Sequence, residues 1–344
     1  MPSCDTSPSG SEACAEIAAQ APRTAVDGPW RSGAFAALAR HGVLAGFVPA
    51  DAGGTGATEA ALVATLVAVA ERCLTTALAL SQWAAAVRII AGGPQASRHR
   101  LPALARGEQL TTVGISQLTT SRQHGPTPAL VAVPEGESWR LDGLCPWVTG
   151  ADSVDTIVTG AATAAGDRLF FVVPTNAAGL EIDPPLVMLA LTGSRTAAVR
   201  FRGVRAADVI PAEPTGPRTG GLATTALAIG ATRAAVTLVE AEAAARPGLV
   251  PVATGLGADV EALAARLTSA ATHGVAPADR DRLRADANGL VVRAAQAALT
   301  AAKGAGFVRG HPAERLARES LFVLVWSCPQ AVSNAVLCEL AGLG

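Results

Sequence analysis

Residues 141–161 read LDGLCPWVTGADSVDTIVTGA. Trp147 and Thr149 are two residues apart, so on a β-strand their side chains project from one face. An aromatic plane beside a hydroxyl suits a flat ligand ring with polar edges. A core tryptophan followed by an edge-strand threonine gives the same pattern, and taken alone that is the commoner origin of such a pair. Residues 156–159 then form a β-type run, and similar runs fall at 110–115, 129–133, 139–141, 168–173 and 197–202. Turn-forming stretches separate several of them: PEGES, AAGDR and TNAAG. Short strands at this spacing predict a small antiparallel β-barrel or sandwich over 109–215.

On either side the period changes to that of helices. Upstream, RSGAFAALARH (31–41) is a short amphipathic stretch with Gly42 placed to end it. TEAALVATLVAVAE (58–71) follows the glycines at 53, 54 and 56, with Thr58 as its cap. Residues 75–91 and the segment ending in LPALARGE continue the helical pattern. Downstream, 222–245, 258–272, 279–302 and 312–325 are helix candidates of similar length, with a shorter one after Pro329. Short connections between such helices predict a four-helix bundle. The chain thus reads as α+β and multidomain: an N-terminal helical domain (1–108, its first 20 residues poorly ordered), a β domain (109–215) and a C-terminal helical bundle (216–344).

Composition narrows the function classes. Of 344 residues half are hydrophobic and 16% charged, which suits a chain with much buried surface rather than a disordered one. The formal net charge of −1 and the lack of a basic stripe argue against nucleic acid as a partner. Lys303 is the only lysine. The six cysteines, at 4, 14, 73, 145, 328 and 338, form no C-x-x-C pair and suit free thiols in a reducing compartment. The N-terminus is polar, acidic and Ser-rich, unlike a signal peptide, and Arg, Glu or Gly interrupt the apolar segments. The expectation is a cytoplasmic protein with no membrane partner.

Two further patterns carry chemistry. VGISQLTTS (113–121) ends a strand in a cluster of hydroxyls, Ser116, Thr119, Thr120 and Ser121, able to hold carbonyl, ring-nitrogen or phosphate groups. A Ser/Thr-rich turn is its plainer reading. In AAKGAGFVRGHPAERLARES (301–320), Gly304 and Gly306 permit close backbone approach to a ligand and Lys303 could meet a phosphate; a glycine-rich helix break is the plainer reading here too.

In this order and on this helix–strand–helix plan, the patterns resemble the acyl-CoA dehydrogenase superfamily over nearly the whole chain from about Arg31. GFVPADAGGTGAT is similar to the family's V-P-x-x-x-G-G-x-G segment, and ISQLTTS to its T-E-P-x-x-G-S loop, one residue shorter and without the glycine. LDGLCPWVTGADSVDTIVTGA is close to L-x-G-x-K-x-W-I-T-N-x-x-x-A-D. KGAGF and HPAERLARES are similar to G-G-x-G-[YF] and P-x-E-R-x-x-R-D. The resemblance implies FAD as cofactor. Ile115, Ser116, Thr120 and Ser121 would line the flavin and its ribityl-phosphate arm, Trp147 would stack on the isoalloxazine, and Thr149 would hydrogen-bond near N5. It also implies a homodimer or homotetramer, a neighbouring subunit completing the FAD site through elements matching Arg246 and Lys303-Gly304. The family's R-x-x-F-G is RPGL here.

The chain departs from the family at the base. Family dehydrogenases take a substrate α-proton with a glutamate in E-G-[TP], shortly after R-D. Here Arg318-Glu319 is followed by SLFVLVWSCPQAV, and Ser327 falls at the glutamate position. Serine is no comparable base without activation. The earlier-helix alternative, GGLATTALAIG (220–230), contains no carboxylate. Three readings stay open: an FAD-dependent oxidoreductase of flavin-monooxygenase type, an acyl-thioester dehydrogenase with a relocated base, and a non-catalytic flavin- or acyl-binding protein. The partner is a small-molecule or acyl-thioester substrate in the first two.

Overall fold

The computed structural model describes residues 8–28, 30–119, 128–212 and 221–342. Ahead of the first strand lie Pro8–Asp27 (α1), Ala34–Arg40 (α2), Val43–Gly46 (α3), Glu59–Arg72 (α4), Leu74–Ala91 (α5), Gln95–Arg98 (α6) and Leu101–Ala105 (α7). The strands are Thr111–Gly114 (β1), Leu130–Glu135 (β2), Ser138–Val148 (β3), Thr156–Ala162 (β4), Arg168–Pro174 (β5), Leu180–Ile182 (β6), Ala197–Ala206 (β7) and Val209–Pro211 (β8), with one helical turn, Ser116–Thr119 (α8), behind β1. Leu222–Ala245 (α9), Val250–His273 (α10), Pro277–Ala301 (α11), Lys303–Gly306 (α12), Pro312–Ser320 (α13) and Gln330–Leu340 (α14) follow.

The strands form one eight-stranded sheet in the order β6-β7-β3-β2-β4-β5-β8, with β1 added on β4. The expected all-antiparallel arrangement is corrected by two pairings. β1 runs parallel to β4 from Thr111↔Thr156 to Gly114↔Thr159, and β2 meets β4 in parallel at Val131↔Ala162. The β2–β3 hairpin lies between β1 and β4 in sequence, and a connection that long permits parallel pairing. β1 and β4 are buried along their whole length, as strands covered on both faces are. α5 packs against β1.

Three helical segments depart from the sequence expectation. Residues 8–20, expected to be poorly ordered, belong to α1. Ala13, Ile17, Ala21 and Thr24 recur at three- and four-residue steps and are buried, so one face of that helix docks on the body. α10 begins at Val250, ahead of the expected start at 258, because Pro251 sits in the first turn, where a missing N–H costs nothing. The expected helix over 312–325 stops at Ser320, passes into a tighter turn over Leu321–Leu324, and reaches Ser327 with a left-handed φ of 50°.

Among the described residues three segments are long and apolar enough to cross a membrane by length and composition: α5, α9 and 247–273. The sequence reading found no such span. For α5 and α9 the apolarity has an internal destination, since their apolar windows are 72% and 67% buried in the molecule, against 17% for 247–273. α9 is the hub of the C-terminal helices, touching α4, α10, α11 and α13.

Candidate active site

Helices α4, α5 and α9, the sheet and the 322–327 turn enclose a cavity of about 1050 Å³. That is the upper end of the range for small-molecule sites, with room for a cofactor ring and a substrate together. Ile115, Ser116, Trp147, Thr149 and Ser327, five residues singled out in the sequence, all line it. Thr120 and Ser121 lie outside the described residues.

The strand floor is built by close packing. Gly114 ends β1 where a Cβ would come within 2.8 Å of Val148 Cγ2 and 3.0 Å of Cys145 Sγ, so only glycine lets β1 lie flush on β3. Gln117, buried beneath, donates to the carbonyls of Gly160 (2.7 Å) and Gly114 (3.3 Å) and accepts from Cys145 Sγ at 3.0 Å. This lock fixes the Ile115-Ser116 turn. Burial pushes the Cys145 thiol up to about 12, so it stays a neutral donor. Ser116 Oγ is buried without a hydrogen-bond partner. A buried hydroxyl left unmatched in a cavity wall is placed to serve a ligand.

Trp147 keeps 46% of its surface exposed at the end of β3. Thr149 is buried, and its Oγ1 lies 3.2 Å from Thr196 Oγ1, which in turn lies 2.9 Å from Ser194 Oγ. Thr196 also lines the cavity, and its part was not legible in the sequence. The turn that presents it is strained: Leu191 and Arg195 both have positive φ, at 60° and 49°. Trp30 and the end of α1 hold that turn. Trp30 Nε1 donates to Gly193 O at 3.1 Å, and its ring covers Gly150, whose φ of 67° leaves no place for a Cβ.

The far wall carries Ser327, the residue expected from the sequence at the base position. Ser327 follows Trp326, which stacks on Phe322 at 5.7 Å. Arg284, buried on α11, fastens the turn from behind: its Nη2 donates to the carbonyls of Val323 (3.3 Å) and Trp326 (3.2 Å), and its Nε to Asn288 Oδ1 (2.9 Å). Asn288 Nδ2 also donates to Val323 O, at 3.1 Å. Burial lowers the Arg284 guanidinium to about 10, which leaves it charged at neutral pH. Leu222, Ala223 and Thr224 of α9 line the cavity and offer no carboxylate there. Among the described lining residues the one carboxylate is Glu59, which no sequence motif marks. Arg88 Nη2 binds it at 2.7 Å near the protein surface.

Arg246 and Lys303-Gly304 stand together elsewhere. Arg246 donates to Ala301 O and pairs with Glu242, which brings it to the turn where α11 passes into α12. Lys303 (φ 54°) and Gly304 are exposed on that turn and do not line the cavity.

No family model matches the chain. A curated relative, "Probable acyl-CoA dehydrogenase YngJ" of Bacillus subtilis (strain 168), is 26% identical over 201 residues, 55% of this chain and 52% of the relative. The match thus spans about half the relative's length. Two solved structures superpose on almost the whole chain. Glutaryl-CoA dehydrogenase from Mycobacterium smegmatis has a TM-score of 0.78 at 21% identity, covering 99% of this chain and 96% of its own. Dibenzothiophene monooxygenase from Paenibacillus sp. A11-2 has a TM-score of 0.77 at 15% identity, covering 97% and 96%; a second structure of that enzyme is FMN-bound. The chain shares its fold with these two enzymes.

Proposed function

We propose that this chain is a flavin-dependent oxidoreductase that holds FAD non-covalently in the cavity and carries out a monooxygenase-type reaction. The observation that carries the reaction type is the cavity's poverty in bases. On this reading Ser327 takes the glutamate position; among the described lining residues α9 offers no carboxylate, and Glu59 is engaged by Arg88. An α-proton base is dispensable when reduced flavin and oxygen do the chemistry.

The residues present fit a flavin. The unmatched Ser116 Oγ supplies a hydrogen-bond group at a strand end, Trp147 an exposed aromatic face, and Thr149 with Thr196 a hydroxyl pair whose protons can reorient toward a ring edge. The ring would supply the redox chemistry, accepting a hydride or activating oxygen, which no side chain here can do. Ile115 and the apolar residues of α4 and α5 would exclude water from it. Ser327 would orient substrate as a hydroxyl donor or acceptor without removing a proton. We also propose that the sheet and the C-terminal helices act as the barrel-like and four-helix-bundle parts of such enzymes, divided near 108 and 215. In that arrangement two or four copies assemble in the cytoplasm, and a neighbour's Arg246 and Lys303-Gly304 meet the adenine end of FAD.

The spectrum of the purified protein is the first test. Visible flavin absorbance is expected, and FAD rather than FMN should be released on denaturation; a colourless protein would leave only a binding scaffold. Anaerobic mixing follows. Bleaching by an external reductant, reversed by oxygen, with no bleaching by saturated acyl-CoAs, is the expected pattern. The second reading, dehydrogenation with a relocated base, rests on Glu59. If an acyl-CoA bleaches the flavin and Glu59→Gln abolishes the effect, that reading replaces the first.

A further inference from the structure

The charges on the cavity wall are not balanced. Three described lining residues carry charge: Glu59, Arg88 and Arg280. Glu59 and Arg88 neutralise each other at 2.7 Å. Arg280, in the first turns of α11, has no such partner. Its Nε is buried and makes no hydrogen bond. Among the described residues the carboxylate within ion-pair range is that of Asp281, with Oδ1 at 3.8 Å, beyond hydrogen-bonding reach.

One helical turn further along the same face stands Arg284, 1% exposed. Three of its contacts are neutral acceptors, Asn288 Oδ1 and the carbonyls of Val323 and Trp326, its Nη1 has no hydrogen-bond partner, and the ionisable group that acts on it is the Cys328 thiol rather than a carboxylate. Trp326 lines the cavity, so this second guanidinium stands directly behind the wall. Like charges at i and i+4 repel on a helix, and a buried cation without an anion is costly. An anion entering from the cavity relieves both costs. The surrounding wall is apolar, with Val275, Phe322 and Val325, which strengthens the attraction of a charge placed there.

We propose that the α11 end of the cavity is an anion subsite, in which Arg280 receives a carboxylate or phosphate carried by the substrate. This rests on the assignment of the cavity as the substrate site, but not on the presence of flavin. Arg280 forms a direct charged hydrogen bond to the anion, and Arg284 adds positive potential through the wall. Asp281 is the competing anion of the chain itself. The substrate is thus an acidic small molecule, or an acyl compound with an acidic group remote from its reacting carbon.

The test titrates the purified full-length protein with succinate and, separately, with inorganic phosphate, at ionic strength held constant with sodium chloride. Calorimetry and the thermal midpoint report binding, and visible absorbance of the same samples reports flavin. Saturable binding of at least one anion is expected. Arg280→Ala should weaken it by about tenfold or more, Arg280→Lys by less, and Asp281→Asn should tighten it. Preference for succinate or for phosphate identifies the acidic group. Absence of saturable binding to the wild type overturns the subsite. So do equal dissociation constants in wild type and a folded Arg280→Ala, whose fold is checked by far-ultraviolet circular dichroism. Arg280-dependent binding in a flavin-free protein leaves the subsite standing and removes the flavoenzyme assignment.

Discussion

Ser327 lines the cavity in a turn that two side chains of α11 fasten from behind, and we propose that it stands where a dehydrogenase of this fold would hold a carboxylate. That rigidity makes the position a fair test. A glutamate there would be partly desolvated between Trp326 and the apolar wall, which raises its basicity. A positioned general base is worth about 10²–10⁴-fold in rate. Ser327→Glu should therefore gain flavin bleaching by a saturated acyl-CoA that the wild type lacks, read in a stopped-flow spectrometer. A variant with flavin bound and no gain would mean that the cavity does not admit an acyl thioester. Trp147→Ala with Thr149→Ala should lower flavin occupancy in a folded protein, and unchanged occupancy would remove these two residues from the cofactor site. Glu319 makes a separate prediction. Burial pushes its carboxyl up to about 7 from the ordinary value near 4.5, against the pull of Arg315 and Arg318. Between those values the native state keeps a proton that the unfolded state has lost, so stability falls as pH rises and levels off above about 7. Glu319→Gln, neutral at every pH, should abolish that fall. At pH 8 it should exceed the wild type by up to roughly 3 kcal/mol in urea unfolding, and the two should converge near pH 4.

Among the elements, closeness of packing decides which substitutions are tolerated. α9 approaches α4 at Gly230, where a Cβ would lie 2.4 Å from Val67 O and 2.6 Å from Ala70 Cβ. Helix backbone cannot yield as a flexible side chain can, so Gly230→Ala must push the two helices apart. A loss of about 1–3 kcal/mol is expected in chemical denaturation. Gly255 in α10 has nothing within 4 Å, and Gly255→Ala should stabilise by about 0.5–1 kcal/mol through helix propensity alone. The same contrast explains what the sequence made legible. α4, α5 and α9 are long apolar segments, and their existence follows from hydrophobic spacing. α1 hides its buried face among Ser, Glu and Gln, with Ile17 the one large apolar residue at the docking positions, so periodicity is faint there. β6 and β8 have three residues each, too few to show alternation, and owe their conformation to β7 and β5. At the site, Ile115, Ser116, Trp147, Thr149 and Ser327 were legible because each lies in a local motif. Thr196, Glu59 and Arg280 were not: they reach the cavity through tertiary packing, and nothing in their own neighbourhoods marks them.

For the whole molecule, the question is what covers its remaining apolar surface. The 247–273 segment is apolar enough to match a membrane span and yet 17% buried, with Val250 and Val252 exposed by 50% and 42%. Phe307 and Val308 stand out by 80% and 63%, next to the turn that carries Lys303 and Gly304. Apolar patches left in water favour association, and closed two-fold symmetry is the commonest way to satisfy them in copies of one chain. A neighbouring copy seated there would also bring the exposed Lys303-Gly304 turn, with Arg246 beside it, to another molecule's cofactor. Assembly and cofactor retention should then be linked. Sedimentation equilibrium at micromolar concentration is expected to give a dimer or tetramer. Phe307→Asp with Val308→Asp should shift it toward monomer and lower the flavin carried per chain, with far-ultraviolet circular dichroism unchanged. Dissociation without loss of flavin would confine the cofactor site to one chain and favour the shorter flavin, FMN, which makes no demand on an adenine site. A wild type that sediments as a monomer with full FAD content would refute both the assembly and its role in binding.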